Sequence, residues 1–266
     1  VSPRLDAELA ARGLARSRSH ATQLIAGGLV NVDGRPVVKA ATQVDESSAI
    51  EVAGADHYVS RGAHKLIAAL DAFPIAVDGQ VALDLGASTG GFTQVLRERG
   101  ARPVLAVDVG HGQLSTVVAS DADVVSVEGY NVRFMTADSL AAATGIETRP
   151  RVVTGDLSFI SLTHVLPAVV ATAAPGADAV LLIKPQFEVG RTAVKGGLVT
   201  DPALRSDAVH AVLWSAWDAG LRTAGLIASP IVGTHGNQEY VAWFSATHGT
   251  DPSEWESTVT RLTGSR

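Results

Sequence analysis

The chain of 266 residues contains no cysteine. That excludes a disulfide framework, a thiolate nucleophile and a zinc–thiolate site, and it suits a reducing cytoplasm, the compartment expected here. Long apolar runs are also missing. The nearest candidate, residues 168–183, is broken by Pro175, Gly176 and Asp178. It falls short of the roughly 18–20 uninterrupted residues that a membrane helix needs, so no membrane partner is expected. The first residues, VSPRLDAELAARG, lack the apolar stretch of a secretory signal. Lysine is scarce: Lys39, Lys65, Lys184 and Lys195 stand against 17 arginines. Arginine keeps its proton at any working pH, whereas lysine can lose it in a suitable site, so each of these few lysines is a candidate for chemistry. The net charge of −6 argues against nonspecific coating of nucleic acid but leaves local basic patches open. With 46% hydrophobic and 18% charged residues the chain can bury a sizeable core, as one large domain or one with a small companion.

The rest of the chain is organised around VALDLGASTGG, residues 81–91. An apolar strand runs into a glycine turn, and FTQVLRERG continues as a helix. That order makes a cofactor cradle, because glycines let backbone approach a ligand where a Cβ would collide. A second apolar run, residues 103–107, ends in Asp108, at the place and spacing where an acidic residue accepts from ribose hydroxyls. GASTGG is not the dinucleotide pattern G-x-G-x-x-G. D-x-G-x-x-x-G-G followed by an acidic strand end fits S-adenosylmethionine better.

Ahead of this stretch, residues 4–12 read as a short amphipathic helix with Leu5, Leu9 and Leu14 near one face, stopped by Gly13. Ser17–Ser19 offers a cap for a helix over 20–26, ended by Gly27 and Gly28. LVNVDGRPV alternates around Asp33-Gly34, a hairpin signal, and the second strand of this small domain is placed near residues 49–52. Residues 1–39 carry Arg4, Arg12, Arg16, Arg18, Arg35 and Lys39 against Asp6, Glu8 and Asp33, a net of +3 inside an acidic chain. RLDAELAARGLARSRSHATQLIAGGLVNVDGRPVVKAATQV is similar to the S4 RNA-binding domain. The resemblance implies structured RNA as partner, with Arg4, Arg16, Arg18, His20 and Gln23 near the contacting surface.

SRGAHKLIAALDAF then reads as a helix capped by Ser60 and ended at Pro74, with Leu66, Ile67, Leu70 and Phe73 on one side. Strands over 81–85, 103–107, 124–127, 151–155 and 179–183 alternate with helices over 91–99, 112–120, 133–142 and 160–173. Five such units imply a parallel sheet covered on both faces, with ligands at the carboxyl ends of the strands. Asp84, Asp108, Glu128, Asp156 and Lys184 fall there. A Gly-rich stretch around Lys195-Gly196-Gly197 has no period and reads as a lid. Asp201 caps a helix with Pro202 at its first position and Val209, Val212, Leu213 and Trp217 as its apolar stripe. Strands over 222–228 and 240–246 form a final antiparallel hairpin. The expected fold is α/β: the class I, Rossmann-like methyltransferase sheet of seven strands in the order 3-2-1-4-5-7-6, with the small α+β S4 domain at the N-terminus. The expected boundaries are 1–55 for the S4 domain, 56–59 for a linker and 60–266 for the methyltransferase domain.

SRGAHKL, LDLGASTGGFT, GDLSFISL, LIKPQFEVG and GNQEY, in this order, resemble the TlyA (hemolysin A-like) family. That family joins an S4 domain to an FtsJ-like, S-adenosylmethionine-dependent RNA 2′-O-ribose methyltransferase domain. The resemblance implies a catalytic set of Lys65, Asp156, Lys184 and Glu239. Lys184 would serve as base or hydroxyl-orienting group and Asp156 as its aligner, with Lys65 and Glu239 as flanking partners. It implies a cofactor site at Asp84, Gly86, Ser88, Thr89, Gly90 and Gly91, with Asp108 at the ribose and Glu128 or Asn131 near adenine. Arg61 joins the RNA-contacting residues. The family's targets are cytidines of ribosomal RNA in the 30S subunit, the 50S subunit or both, and no metal is needed because the sulfonium already activates the methyl. In the linker, Asp56 and His57 stand where the longer form of the family is more basic. The alternatives are a noncatalytic RNA-binding assembly factor, a small-molecule methyltransferase and a hemolysin.

Overall fold

A computed structural model describes residues 2–15, 17–45, 47–52, 57–190, 194, 196–233 and 236–265. The chain divides into two compact units, Val1–Val59 and Ser60–Arg266.

In the first unit, α1 (Leu5–Ala11) ends before Gly13, whose φ of +71° only glycine adopts freely. Its Leu5 and Leu9 pack with Ala21 and Ile25 of α2 (Arg18–Ala26). Ser17 caps α2, its hydroxyl accepting from the His20 N–H at 3.2 Å, so that helix begins two residues earlier than the sequence suggests. The hairpin is present as β1 (Val30–Val32) and β2 (Arg35–Pro36), turning at Asp33 and Gly34, both with positive φ. The strand expected near 49–52 is β3 (Ile50–Val52), third in chain order. It pairs with β1 on the side opposite β2.

The second unit begins with α3 (Ala63–Ala72). Ser60 is not its cap: Gly62 holds that position without a side-chain bond. Ser60 Oγ instead lies against Gly91, where a Cβ would stand 2.2 Å from it. Then follow β4 (Ala82–Leu85), α4 (Gly91–Glu98), β5 (Val104–Val107), α5 (Thr116–Ala119), β6 (Val124–Val127), α6 (Ala137–Thr144), β7 (Val152–Gly155), α7 (Leu166–Thr172) and β8 (Asp178–Ile183). The chain closes with α8 (Pro185–Glu188), α9 (Pro202–Asp218), β9 (Arg222–Ala228), β10 (Tyr240–Ser245) and α10 (Glu256–Thr263).

The sheet order is β6-β5-β4-β7-β8-β10-β9, and only β10 pairs antiparallel with its neighbours. This is the seven-strand order 3-2-1-4-5-7-6 expected from the sequence. Side chains alternate across it, so Leu83 and Leu85 of β4 enter the large core with Leu105, Val153, Leu181 and Ile183. Val209, Val212, Leu213 and Ala216 of α9 cover that face at spacings of three and four. Trp217, expected in that stripe, is instead 37% exposed, because position 216 is the one that continues the 3.6-residue period.

Two helices are shorter than expected. The stretch 112–120 forms only the single turn of α5, capped by Ser115, because residues 110–113 are engaged at the strand ends described below. The stretch 160–173 begins with a 3-10 turn over Leu162–His164, and the α-helix starts only at Leu166 with Pro167 in its first turn, where the missing N–H costs nothing.

Candidate active site

The four residues of the expected catalytic set converge, although they come from four separate elements. Lys65 sits in the first turn of α3 and is buried. Asp156 follows β7, Lys184 follows β8, and Glu239 precedes β10. Tyr240 pairs with Ile183, so the start of the antiparallel β10 lies beside the end of β8 at the same rim. The four charges alternate along one chain of contacts. Glu239 Oε2 accepts from Lys65 Nζ at 2.7 Å, and Lys65 Nζ also donates to Asp156 Oδ2 at 3.2 Å. The other carboxylate oxygen, Asp156 Oδ1, lies 2.6 Å from Lys184 Nζ, which in turn donates to Ser158 Oγ at 2.9 Å. Asp156 thus serves both lysines, one oxygen to each. Lys65, Lys184 and Glu239 are at most 8% exposed. Two positive and two negative groups balance, which is the condition for burying them at all.

A cavity of about 470 Å³ opens beside Lys184, lined by Ser158, Phe159, Gln186, Phe187 and Glu239 among others. Phe159 is 91% exposed and holds a φ of +65°, a conformation that a bulky residue adopts only under constraint. Its ring lies 5.2 Å from that of Phe187, and Lys184 Nζ lies 6.0 Å from the Phe187 ring. Sequence reading missed Ser158, Phe159, Phe187 and Glu188. One signal was available, since each aromatic stands three residues after a site residue, Asp156 and Lys184, inside motifs already singled out.

The glycine turn runs from β4 to α4. Gly86 and Gly90 have φ of +77° and +97°, and Ser88 has +48°. A Cβ at Gly86 would come within 3.0 Å of Leu157, and one at Gly90 within 2.9 Å of Leu114. Ser88 and Thr89 are exposed at the tip, whereas Gly90 and Gly91 are buried. Asp108, just beyond β5, accepts from the Ser88 N–H at 2.8 Å through Oδ2 and from the Gly110 N–H at 2.7 Å through Oδ1. Gln113 Oε1 accepts from Ser88 Oγ at 3.2 Å. Glu128, beyond β6, accepts from the Gly112 N–H at 2.8 Å, and Asn131 caps its own 3-10 turn at the Arg133 N–H. The turn, Asp108 and Glu128 therefore line one rim, and each carboxylate still has lone pairs to offer a ligand.

Asp84, expected among the cofactor contacts, lies beneath the turn. It is 1% exposed, and its oxygens accept from Thr93 Oγ1 at 2.7 Å and Thr154 Oγ1 at 3.1 Å. It ties β4 to α4 and β7. Burial pushes its carboxyl up to about 6, the two threonine hydroxyls oppose that shift, and the nearby charge of Asp156 adds to it.

In the first unit Arg4 and Arg18 both reach the buried Asp6, Arg4 Nε at 3.0 Å and Arg18 Nη2 at 3.1 Å, while their side chains stay 50% and 62% exposed. The Arg4 hydrogen bond, with Arg18 assisting against burial, holds the Asp6 carboxyl down to about 2. Gln23 is exposed on α2 and His20 is half-buried. Arg61 is exposed ahead of α3. Arg16, Asp56 and Lys195 lie outside the described residues. Among the described residues no helix is long and apolar enough to cross a membrane.

Residues 58–246 match the FtsJ-like methyltransferase family, and residues 3–50 match the S4 domain. The chain is 50% identical over 243 residues to the 16S/23S rRNA (cytidine-2'-O)-methyltransferase TlyA of Mycobacterium tuberculosis, covering 90% of this chain and 88% of that protein. It is 38% identical to Hemolysin A of Brachyspira hyodysenteriae, covering 91% and 99%. Among solved structures, a Streptococcus thermophilus protein described as a candidate hemolysin superposes with a TM-score of 0.74 at 34% identity, covering 99% of this chain and 96% of that one. With both domains matched in sequence order and half of the aligned residues shared with a curated relative, the chain belongs to the TlyA family, in which an S4 domain is joined to an FtsJ-like methyltransferase.

Proposed function

We propose that the protein transfers a methyl group from S-adenosylmethionine to the ribose 2′-hydroxyl of cytidine in ribosomal RNA, acting on the 30S subunit, the 50S subunit or both. The observation that carries this reading is the bridge made by Asp156, which holds Lys65 with one oxygen and Lys184 with the other at the rim of the sheet. The name of the Mycobacterium relative supplies the RNA class, the nucleotide and the position.

When bound, S-adenosylmethionine supplies a methyl made electrophilic by its sulfonium. The glycine turn fits such a group: Gly86 and Gly90 pack the turn tightly against Leu157, Leu114 and Val118, which leaves Ser88 and Thr89 exposed at its tip to offer their hydroxyls. Asp108 would take the ribose hydroxyls, with Glu128 and Asn131 farther along the rim. Asp84 supports the turn from below.

The protein's task is to bring a weak nucleophile into line and to accept its proton. Asp156 and Ser158 hold Lys184 Nζ in place, leaving its third direction for the incoming hydroxyl. As a free amine Lys184 takes the hydroxyl proton, and as an ammonium it orients the oxygen. Lys65 and Glu239 keep Asp156 fixed and the site neutral. Proton removal of this kind contributes roughly 10²–10⁴-fold, and alignment of the two reactants adds to it. Phe159 and Phe187 offer aromatic faces on which an unstacked base can rest beside Lys184. Arg4 and Arg18, pre-set by Asp6, together with Arg16, His20, Gln23 and Arg61, are the residues that would meet RNA phosphates.

The test is transfer of labelled methyl from S-adenosylmethionine to isolated 30S and 50S subunits, followed by mapping of the labelled nucleotide. Label at a cytidine 2′-oxygen supports the reading. RNA binding without transfer, unchanged in Lys184→Ala, would favour the noncatalytic assembly factor instead.

A further inference from the structure

We propose that Glu188 is a positioning residue for methyl transfer: its carboxylate ties the turn carrying Lys184 and Phe187 to the loop carrying Asp156, Ser158 and Phe159. The inference rests on the functional reading above. Glu188 Oε1 accepts from the Leu162 N–H at 3.0 Å, and Oε2 accepts from Ser161 Oγ at 2.5 Å.

Two observations set this contact apart from ordinary helix capping. The 3-10 turn at Leu162 already has a local cap, because Ser161 Oγ accepts from the Thr163 N–H at 3.1 Å. And Glu188 is costly where it stands. Burial pushes its carboxyl above the usual range, opposed by the Leu162 and Ser161 hydrogen bonds, and among the described residues no basic side chain pairs with it. A local cap would not need a carboxylate from an element 26 residues away.

What the contact adds is a cross-link. Three links span the gap between the loop and the turn. The innermost joins Lys184 to Asp156 and Ser158, the middle one is the Phe159–Phe187 ring pair, and the outermost is Glu188 with Ser161 and Leu162. Glu188 lies one helical turn after Lys184, and the Phe187 N–H bonds the Lys184 carbonyl at 2.9 Å. Displacement at one end of α8 is therefore carried to the other. Without the outer link, Phe159 in its constrained conformation and Lys184 must hold the loop alone. Displacement of about 1 Å in such a site can cost ~10²-fold in rate.

The experiment uses the full chain and isolated ribosomal subunits. Methyl transfer is measured at saturating and limiting RNA for Glu188→Ala, Glu188→Gln, Ser161→Ala and the Glu188→Ala/Ser161→Ala pair, with S-adenosylmethionine affinity and melting temperature measured alongside. Glu188→Ala is expected to lower kcat by ~10–100-fold while cofactor affinity changes less than about threefold. Glu188→Gln, whose amide oxygen can still accept from Leu162, recovers most of the rate. The double variant is no slower than Glu188→Ala, because both substitutions open the same link. Wild-type rates in Glu188→Ala overturn the inference. So do losses of rate that only track loss of folded protein, and effects of the two single variants that multiply. If the wild-type protein itself transfers no methyl, the functional reading fails first. An active wild type with an equally active Glu188→Ala sinks the inference alone.

Discussion

Lys65 Nζ donates to Glu239 Oε2 at 2.7 Å across 174 residues of chain, and the bond is buried. Glu239→Ala leaves the Lys65 ammonium with a single acidic partner, Asp156 at 3.2 Å. A loss of about 3 kcal/mol in unfolding free energy is expected, because removing one member of a buried pair strands the other. Replacing both, as Lys65→Met with Glu239→Leu, is expected to restore most of that stability without restoring methyl transfer. Urea denaturation and a transfer assay on the same three proteins separate the two effects. Recovery of activity in the double variant would place the pair outside the mechanism.

Lys184 is expected to be irreplaceable by arginine. Lys184→Arg keeps a positive charge beside Asp156 but cannot accept a proton at working pH. Both Lys184→Arg and Lys184→Ala are expected to lower kcat by roughly 10²–10⁴-fold, with cofactor affinity unchanged. Near-normal turnover in Lys184→Arg would reduce the residue to a positive charge that holds the oxygen.

Asp84 gives the protein a stability that falls as pH rises. Its carboxyl is pushed up to about 6 in the folded state, above the ordinary value of ~3.9 in the unfolded chain. Between those values the folded protein binds more protons than the unfolded one, so stability declines through that window and stays lower above it. Asp84→Asn cannot titrate. The stability of the wild type relative to Asp84→Asn is expected to fall by about 2 kcal/mol between pH 4 and 6.5 and to level off above about pH 7. Denaturation midpoints at stepped pH check this, and a difference that rises with pH contradicts it.

Phe159 holds φ +65° while its ring stands almost fully in solvent. Glycine adopts that conformation freely. Phe159→Gly is therefore expected to leave the melting temperature unchanged or to raise stability by up to ~1 kcal/mol, while KM for the RNA rises. Calorimetry and steady-state kinetics report the two separately. A destabilised variant with an unchanged KM would make Phe159 a packing residue.

Arg4 and Arg18 keep about half or more of their side-chain surface open while Asp6 fixes them from behind. If they meet phosphates, Arg4→Ala and Arg18→Ala each lower the slope of log affinity against log salt by about one. RNA titrations at several salt concentrations measure it. A slope unchanged in both variants removes them from the interface.

The strands were legible because each buried one is an apolar run, and β4, β5, β7 and β8 are buried almost throughout. The turn was legible because its glycines cluster. The partners of Asp84 were not legible, for a reason that lies across the sheet. Nothing local in LDLG shows that Thr93 and Thr154 will close over it. Ser60 looked like a cap because serine before a helix usually is one, whereas its hydroxyl packs against Gly91, filling the space a Cβ would take there. Motif resemblance pointed to the four charged residues, but their order of contact, with Asp156 in the middle, depends on β10 running backwards beside β8. Glu188 and Ser158 sit in loops, where period and propensity carry no information about distant partners.

The fit of Ser60 against Gly91 has a consequence for anyone who cuts the molecule. The hydroxyl occupies the space beside the first residue of α4, so the short run before α3 forms part of the wall behind the glycine turn. A fragment started at the first helical residue would leave that wall open. A fragment that starts at residue 60 keeps that oxygen, and one that starts at Ala63 loses it.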